Sequence, residues 1–322
     1  MKHIYPWQQA EWLRWWRAKS ENRLPHALLL SGLRGLGKVH FAECVTRALF
    51  CSNVSQEGAY CNDCHACRLI ETQVHPSVRW IRPEKEQGQI KVDQIREVNE
   101  FISQTTLQGD YRVVLIHPAN HMNANAANAL LKTLEEPAKN GLLILISDQT
   151  AHLPATILSR CQRITFMPPT HQEALSFLTS KAIDSTMANT LLSLAQGAPL
   201  SALRLAQEDG LATRTALYDV LVKLSERKID PIKSVTPFLS LELLTTIDLI
   251  LNWLMDILRL QAGSDIIINQ DYEGALLKMK VDPGFRDYLM SLRKEICSGF
   301  NLNKQLLLES LFIRWMESAT CS

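Results

Sequence analysis

Between residues 26 and 166, short apolar runs alternate with segments of helical periodicity. That alternation is typical of a parallel β-sheet with helices on both faces. The predicted strands are residues 26–31, 78–81, 111–116, 142–147 and 162–166. Each run is interpreted as continuously apolar, as expected of a strand that helices cover on both sides. The sequence therefore predicts an α/β domain with a doubly covered parallel sheet.

Apolar residues at helical spacing predict three helices that cover this sheet. Their apolar positions are Val39, Ala42, Val45, Ala48 and Leu49, then Ile95, Val98 and Ile102, then Ala127, Leu130, Leu131 and Leu134. Pro168 and Pro169 interrupt the alternation, and the chain beyond them has the pattern of helices separated by turns. We therefore predict an α/β domain over residues 1–167 with an insertion at 51–67, and all-helical domains over residues 168–207 and 208–322.

The helical part carries two distinctive segments. Asp248, Asn252 and Asp256 lie four apart in the most apolar segment, near residues 243–260, and would be costly at a bilayer centre. We interpret this segment as a packed helix. A second amphipathic helix is predicted near the C-terminus. Its apolar positions are Leu306, Leu307, Leu311 and Trp315, after an asparagine-rich start at Asn301 and Asn303.

Charge and the N-terminal residues narrow the possible function classes. Lys plus Arg number 34 and Asp plus Glu number 33, so the formal charge of +1 excludes duplex DNA binding by charge alone. Within residues 11–17 tryptophans alternate with charged residues, which breaks any signal-peptide core. We therefore expect a cytoplasmic protein, in which clustered thiols more often ligate metal than form disulfides.

Four of the eight cysteines form the pattern Cys51-x9-Cys61-x2-Cys64-x2-Cys67. The x2 spacings let successive sulfurs turn back toward one centre, as a tetrahedral zinc ion requires. Four protein ligands leave no open position, so we predict one structural zinc per chain and no catalysis there. An iron–sulfur cluster and uncoordinated thiols remain the alternatives.

Other potential ligands and nucleophiles receive weaker assignments. His65 and His75 could compete as metal ligands, but replacing a sulfur in a complete four-cysteine set is the less favoured arrangement. Cys44 and Cys161 are expected to be packing residues. The remaining cysteines, for which no role is predicted, are Cys297 and Cys321.

Residues 31–39 have the sequence Ser-Gly-Leu-Arg-Gly-Leu-Gly-Lys-Val and lie between a predicted strand and a predicted helix. In this context the backbone N–H groups of a glycine-rich loop wrap a phosphate, and a lysine reaches its outer oxygens. The residues that would hold the phosphate are Gly32, Gly35, Gly37 and Lys38. The sequence therefore predicts a phosphate loop.

Two parts of an active ATPase are missing from this loop. Val39 stands where Ser or Thr would hold Mg²⁺. The apolar run 113–116 is followed by His117-Pro118-Ala119 instead of acidic residues. We therefore predict no magnesium site and no ATP turnover. Two alternatives stay open: phosphate or nucleotide docks without turnover, or the loop merely joins a strand to a helix.

Five sequence segments together resemble one family, the bacterial clamp-loader subunits of DNA polymerase III, over nearly the whole chain. They are residues 24–29 (LPHALL), the phosphate loop, the four-cysteine insertion, residues 127–137 (ANALLKTLEEP) and residues 159–161 (SRC). Within that family, a zinc insertion combined with a degenerate ATPase site is the pattern of a subunit other than the motor. The resemblance implies an AAA+ architecture with an α/β domain, a helical lid at 168–207 and a C-terminal helical collar at 208–322.

The resemblance also implies roles for single residues. Arg160 stands where the family carries an arginine that acts in trans, and a guanidinium placed there would stabilise charge on the γ-phosphoryl group of a neighbouring subunit's ATP. The alternative is a surface or helix-capping arginine. Leu200 stands where family ATPases place a nucleotide-sensing arginine, which would be a third missing ATPase part.

The partners implied by the resemblance are gamma/tau-type ATPase subunits and a delta-type subunit in a five-membered ring. The sliding clamp and primer-template DNA would be contacted through the assembly, with no membrane involved. The chain would then be a non-enzymatic component of the DNA polymerase III holoenzyme, a DNA-directed nucleotidyltransferase assembly. Two rival functions remain: an autonomous ATP-driven remodelling factor, which Val39 and His117 oppose, and a zinc-dependent nucleic-acid-binding module, which the near-zero charge opposes.

Overall fold

The computed structural model describes residues 4–85, 88–104, 111–208, 210–264, 266–297 and 303–321. The chain divides into two compact units, Met1–Glu173 and Ala174–Ser322. In the part of the chain that is described, every helix is too short or too polar to cross a membrane.

The first unit is built on a five-stranded sheet whose strand order is β2-β3-β4-β1-β5. Its strands are β1 (Ala27–Ser31), β2 (Val78–Ile81), β3 (Arg112–Ile116), β4 (Gly141–Ser147) and β5 (Gln162–Thr165). All four pairings are parallel, which confirms the predicted α/β fold. Because β1 lies between β4 and β5, the loop that follows β1 opens beside the carboxyl end of β4, where α/β proteins bind ligands.

Helices cover the central strands on both faces. The helices of the first unit are α1 (Gln9–Ser20), α2 (Lys38–Phe50), α3 (His65–Glu71), α4 (Val92–Ser103), α5 (Ala124–Glu135) and α6 (Ala155–Leu158). Leu29 of β1 packs in one cluster with Ile95 of α4 and Leu130 of α5. Its neighbours Leu28 and Leu30 point to the other face and are equally buried. The central strands are therefore shielded on both sides, as predicted.

The prediction that helices cover every strand completely is wrong at the edges of the sheet. Gln162, Arg163 and Thr165 are exposed on β5, and Arg79 is exposed on β2. An edge strand has a neighbour on one side only, so its side chains extend past the covering helices into solvent.

The second unit is mostly helical. Its helices are α7 (His171–Thr179), which begins at the end of the first unit, then α8 (Ser185–Leu194), α9 (Pro199–Gln207), α10 (Gly210–Ser225), α11 (Leu243–Gln261), α12 (Glu273–Leu276), α13 (Gly284–Cys297) and α14 (Lys304–Ser318). The apolar residues of α7, α8 and α9 form one cluster, and those of α10 to α14 form another. The split into domains at 168–207 and 208–322 stays a prediction.

Two features of this unit differ from the sequence-based expectation. A two-stranded antiparallel ribbon, β6 (Met279–Val281) with β7 (Ala319–Cys321), was not predicted. Leu306 was placed on the apolar face of the last helix and is 67% exposed, because the buried stripe of α14 runs through Leu308, Leu311 and Trp315 instead. Asn303 caps this helix by accepting a bond from the backbone N–H of Leu306, while Asn301 lies outside the described residues.

Two of the three polar residues named on α11, Asp248 and Asp256, have partners on other segments. Asp256 is fully buried, and its carboxylate accepts bonds from the backbone N–H of Ile268 and from both the backbone and side chain of Asn269. The Asn269 side chain in turn accepts two bonds from Arg214 of α10. Asp248 pairs with Arg293 of α13 at 2.6 Å. This network fixes the loop after α11 and satisfies charges that would be costly to bury alone.

Candidate functional site

The phosphate loop connects β1 to α2, as the sequence predicts. Gly35 and Gly37 have φ angles of 85° and 82°, which lie in the left-handed region that side chains rarely adopt. A Cβ atom built on Gly37 would lie 2.7 Å from the ring of Tyr5. The loop therefore depends on glycine for its backbone conformation, and at Gly37 also for space.

Lys38 is turned into this loop and is held there. Its Nζ atom donates to the backbone carbonyls of Gly32, at 2.8 Å, and Leu33, at 2.6 Å, and pairs with the carboxylate of Asp148 at 2.6 Å. The Lys38 side chain is only 3% exposed. An ammonium group has three N–H donors, so these three acceptors use its whole donor capacity.

The N-terminal segment covers the other side of the loop. The Gln8 side chain is fully buried, and its amide donates to the carbonyls of Leu36, at 2.8 Å, and Gly37, at 2.9 Å. The Trp7 indole donates to the same Leu36 carbonyl at 3.0 Å. The ring of Tyr5 stacks on that of Trp7, with centroids 4.9 Å apart. These contacts fix the loop against the segment that precedes α1.

His117 follows β3, where an active ATPase would carry acidic residues. Burial lowers the pKa of His117 below its ordinary value, and the positive charges of Arg82 and Lys38 act in the same direction while Asp148 opposes them. Burial also lowers the pKa of His121. Both imidazoles are therefore neutral at physiological pH, and neither offers the anionic oxygen that magnesium prefers.

The chemical capacity of the loop follows from these contacts. A phosphate would have to displace the Asp148 carboxylate and two carbonyls from Lys38, and the nearby carboxylate repels an anion. Val39 offers no oxygen to a metal. We therefore expect neither nucleotide docking nor turnover at this loop, and both expectations stay predictions.

The four predicted metal ligands converge. The Sγ atoms of Cys51, Cys61, Cys64 and Cys67 all lie within 4.8 Å of one another. A tetrahedral zinc–thiolate centre with bonds of about 2.3 Å separates its sulfurs by about 3.8 Å. The sulfurs of Cys51 and Cys61 are 3.5 Å apart. The donor set and its spacing therefore fit a metal ion of the zinc type.

Secondary structure positions these cysteines in a simple way. Cys51 follows the last residue of α2, Cys64 is the N-cap of α3, and Cys67 lies buried within α3. Backbone N–H groups already point at two of the sulfurs: that of Cys61 at Cys51 and that of Cys64 at Cys61, both at 3.3 Å. Such donors stabilise thiolate charge, as metal ligation requires.

The thiols of this cluster differ in proton affinity. Burial raises the pKa of Cys51, and burial raises that of Cys67 as well. The pKa of Cys64 is lowered to about 6, because backbone N–H groups of Cys67 and Ser52 donate to its sulfur and outweigh the effect of burial. Metal binding must therefore release protons from the buried pair, so acid weakens it.

The insertion is anchored to helix α1. The Trp12 indole donates to the carbonyl of Glu57 at 3.2 Å, and the Trp16 indole donates to that of Gln56 at 2.8 Å. Gly58, with a φ of 84°, lies against the Trp16 ring, where a Cβ atom would approach to 2.6 Å. The insertion is thus packed into the first unit.

The remaining cysteines and histidines contact other groups. His65 is exposed at the start of α3, and the ring of His75 packs on that of Phe50 at 4.5 Å. Cys44 is buried, as predicted, with its sulfur 3.4 Å from the Tyr60 hydroxyl, and burial raises its pKa to about 11. Cys161 is half-buried against the core, and burial raises its pKa to about 11. The side chains of Cys297 and Cys321 lie outside the described residues.

Arg160 lies just after α6 and reaches the surface, with its side chain 36% exposed. Its Nη1 atom donates to the carbonyl of Thr156 at 3.1 Å and to the hydroxyl of Ser159 at 3.4 Å. Its Nη2 atom pairs with the carboxylate of Glu135 at 2.8 Å. A guanidinium has five N–H donors, so these three acceptors leave part of its capacity for another anion.

Leu200, the residue at the expected position of a sensing arginine, lies in the first turn of α9 in the second unit and is half-buried. Its apolar side chain can neither donate to a phosphate nor carry charge.

Two charged residues of the site were not predicted from the sequence. Asp148 follows β4 and is brought to Lys38 by the β1–β4 pairing, with Ser31 opposite Ser147 in the register. The signal available was a carboxylate directly after an apolar strand. Glu135 lies inside one of the segments that carry the family resemblance, but its pairing with Arg160 depends on the packing of α5 against α6.

Comparisons with known proteins agree over nearly the whole chain. A family model described as DNA polymerase III, delta subunit, matches residues 7–170, and one described as DNA polymerase III, delta subunit, C terminal, matches residues 208–317. The chain is 34% identical to the DNA polymerase III subunit delta' of Pseudomonas aeruginosa over 98% of each chain. It is 28% identical to that of Escherichia coli, over 96% of this chain and 94% of that one. Among solved structures, a DNA polymerase III gamma subunit-related protein of Thermotoga maritima is similar at a TM-score of 0.40 with 18% identity, over 94% of this chain and 98% of that chain.

Proposed function

Because the chain belongs to the family of DNA polymerase III delta' subunits, we propose that it is the non-hydrolysing member of a clamp loader and supplies Arg160 to a neighbouring ATPase subunit. The contrast between two cations carries this proposal. Lys38 is buried and fully engaged inside its own chain, whereas Arg160 is partly exposed and keeps unused donors. The chain contributes a charge to a neighbour's reaction and performs none itself.

A trans-acting arginine must present its guanidinium at the protein surface from a rigid backbone. Ile157, in the helix just before Arg160, is fully buried in the core, and the Arg160 backbone N–H donates to the Ile157 carbonyl at 3.1 Å. An arginine of this kind stabilises charge on the transferring γ-phosphoryl group, a contribution worth about 10³ to 10⁵ in rate. Arginine suits the task because its planar fork matches phosphate oxygens and stays charged at all relevant pH.

The test is reconstitution of the complete complex with Arg160→Ala in place of the native chain. We expect ATP turnover at the neighbouring subunit's site, stimulated by primed DNA and clamp, to fall by about 10³, while assembly stays intact. Arg68→Ala is the matched control, because Arg68 is an exposed arginine in a surface pair with Asp63; its turnover should equal wild type. Equal turnover of the Arg160 and Arg68 variants refutes the trans role.

The partners follow from the same proposal. Gamma/tau-type ATPase subunits and a delta-type subunit would complete a five-membered ring, with the helices beyond residue 208 as its collar and residues 168–207 as a lid. The sliding clamp and primer-template DNA would be bound by the assembly. The proposal places the protein in the cytoplasm, where thiols stay reduced and able to ligate metal.

We further propose that the four-cysteine cluster holds one structural zinc ion. Four converging sulfurs suit zinc, and a shell that they close leaves no position for substrate. When bound, the ion would tie the end of α2 to α3 and stabilise the insertion. Elemental analysis should find one zinc per chain in a colourless protein, and Cys67→Ser should lose it. Visible absorption with iron present would instead identify an iron–sulfur cluster.

A further inference from the structure

Glu135 is the last residue of α5, and its carboxylate holds the guanidinium of Arg160 at 2.8 Å. The two residues come from segments that are separate in sequence and adjacent in the fold. Their ion pair lies at the surface, with the two side chains 51% and 36% exposed.

Helix stability does not explain Glu135. The C-terminal end of a helix carries partial negative charge, so acidic residues in the last turn are unfavourable. Helix α5 nevertheless ends in Glu135 and is followed by Glu136. An exposed ion pair adds little to the stability of a fold, because water screens it and both side chains lose rotamer freedom. Because stability does not account for the Glu135 carboxylate, its effect on Arg160 is the remaining explanation.

The backbones on both sides of the pair are rigidly packed. Leu130 and Leu134 of α5 are buried in the same apolar cluster as Leu153 and Ile157. The start of α5 is capped by Asn123, whose side chain accepts from the backbone N–H of Ala126 at 2.8 Å. Because both backbones are fixed, the carboxylate constrains where the guanidinium lies.

The hydrogen bonds constrain the orientation of the guanidinium as well as its place. Thr156 and Ser159 engage Nη1, while Glu135 engages Nη2. Acceptors at both terminal nitrogens define the plane of the fork. Without the carboxylate, Nη2 has no acceptor among the described residues, and the side chain can rotate about its long stem.

We propose that Glu135 is a positioning residue that holds Arg160 in the orientation from which it reaches a neighbour's nucleotide. This inference rests on the proposed trans role of Arg160. Glu135 does not touch the nucleotide. It limits the conformations of the arginine before the subunits meet, so that the arginine loses less conformational freedom when the transition state forms.

The experiment compares Glu135→Ala with Glu136→Ala in the fully assembled complex. Glu136 is the adjacent exposed carboxylate and has no ion pair among the described residues, so it controls for loss of charge. We expect Glu135→Ala to lower kcat for DNA- and clamp-stimulated ATP turnover by about tenfold, with KM for ATP within about twofold. Glu136→Ala should match wild type. Glu135→Gln should recover most of kcat, because its amide oxygen still accepts from Nη2.

A double-mutant cycle with Arg160→Ala separates the possible failures. In the Arg160→Ala background, Glu135→Ala should have no further effect on kcat, because its only route of action is gone. If Arg160→Ala is inactive and Glu135→Ala alone is as active as wild type, the positioning role is wrong and the trans role stands. If Glu135→Ala lowers kcat equally in both backgrounds, Glu135 does not act through Arg160 and the inference fails. The inference also fails if Glu135→Ala and Glu135→Gln both prevent assembly. If Arg160→Ala is fully active, the proposed function itself is wrong.

Discussion

Lys38 and Arg160 are two cations of the same α/β unit, and the fold treats them in opposite ways. Lys38 is 3% exposed and is bound by two carbonyls and a carboxylate of its own chain. Arg160 is 36% exposed and shares its donors among three acceptors at the surface. The lysine belongs to a recognisable phosphate motif, yet the arginine is the cation left available. Whether a cation can bind an external anion depends on its burial and on its partners within the chain, and a sequence motif alone shows neither.

The two ion pairs also differ in what they do for the fold. The Lys38–Asp148 pair joins the loop after β1 to the end of β4 in a largely buried setting. The Arg160–Glu135 pair lies at the surface, at the end of α5, with both side chains partly exposed. When a buried pair loses one partner, the remaining charge is left uncompensated. When an exposed pair loses one partner, water solvates the remaining charge. We therefore expect the first pair to stabilise the fold and the second to be able to exchange its partner.

The largest predicted difference is in the assembled complex. Arg160→Ala should reduce stimulated ATP turnover at the neighbouring subunit's site by about 10³, whereas Lys38→Ala in the same chain should leave it within about twofold. The reason is that Lys38 is engaged inside its own loop and takes no part in the neighbour's reaction. Steady-state phosphate release measures both variants. A comparable loss in Lys38→Ala would break the contrast, provided that this variant still assembles.

The free energy of unfolding should depend more on the Lys38–Asp148 pair than on the Arg160–Glu135 pair. Asp148→Ala should lower the free energy of unfolding by about 2 kcal/mol, less than a fully buried pair would lose, because Lys38 keeps two carbonyls and Asp148 is partly exposed. Glu135→Ala should lower it by less than about 1 kcal/mol. Urea unfolding of the two variants provides the measurement. Equal losses would show that burial does not distinguish the pairs.

The phosphate loop should bind a nucleotide more tightly when the Asp148 carboxylate is neutralised. Asp148→Asn keeps the size of the side chain and removes the charge that competes with a phosphate for Lys38. Binding of ADP, followed by calorimetry, should strengthen by about tenfold relative to the native chain, because the repulsion between this carboxylate and a phosphate is removed. Turnover should not appear, because Val39 still provides no magnesium ligand. If ADP binds the native chain and Asp148→Asn equally, Asp148 does not guard the loop.

The smallest predicted effect concerns pH. The pKa of His117 in the folded protein is lowered, chiefly by burial, so the unfolded chain takes up a proton first as pH falls. Stability from this group is complete above about pH 6.5 and is lost as pH falls below it, with a slope of at most about 1.4 kcal/mol per pH unit. His117→Asn should flatten the dependence between pH 6.5 and 5 in thermal unfolding. An unchanged slope would show that His117 is not held neutral by the site.

The sequence predicted the scaffold well because strand and helix patterns are local. All five strands of the parallel sheet, the phosphate loop and the convergence of the four cysteines were expected, and the structure has them. The internal partner of Lys38 was not expected, because Asp148 reaches it only through the pairing of β1 with β4. Glu135 lies in a segment that carries the family resemblance, but its contact with Arg160 follows from the packing of two helices.

The helical unit teaches the same lesson. The polar stripe on α11 is visible in the sequence, but Asp271, which neutralises Arg214 in the same buried network, lies in a short 3₁₀ helix farther along the chain. The exposed Leu306 was misplaced because three adjacent leucines fit more than one helical face. Periodicity identifies helices, whereas the choice of buried face depends on neighbours that only the fold brings together.

The most direct test of the central claim is phosphate release by the purified chain alone, with saturating ATP and magnesium, beside its Lys38→Ala variant. We predict that the two proteins release phosphate at the same background rate, because Lys38 is held by its own chain and Val39 cannot hold the metal. Release by the native chain that the Lys38→Ala substitution abolishes would contradict the claim, since it would mean that the loop opens, binds magnesium-ATP and hydrolyses it.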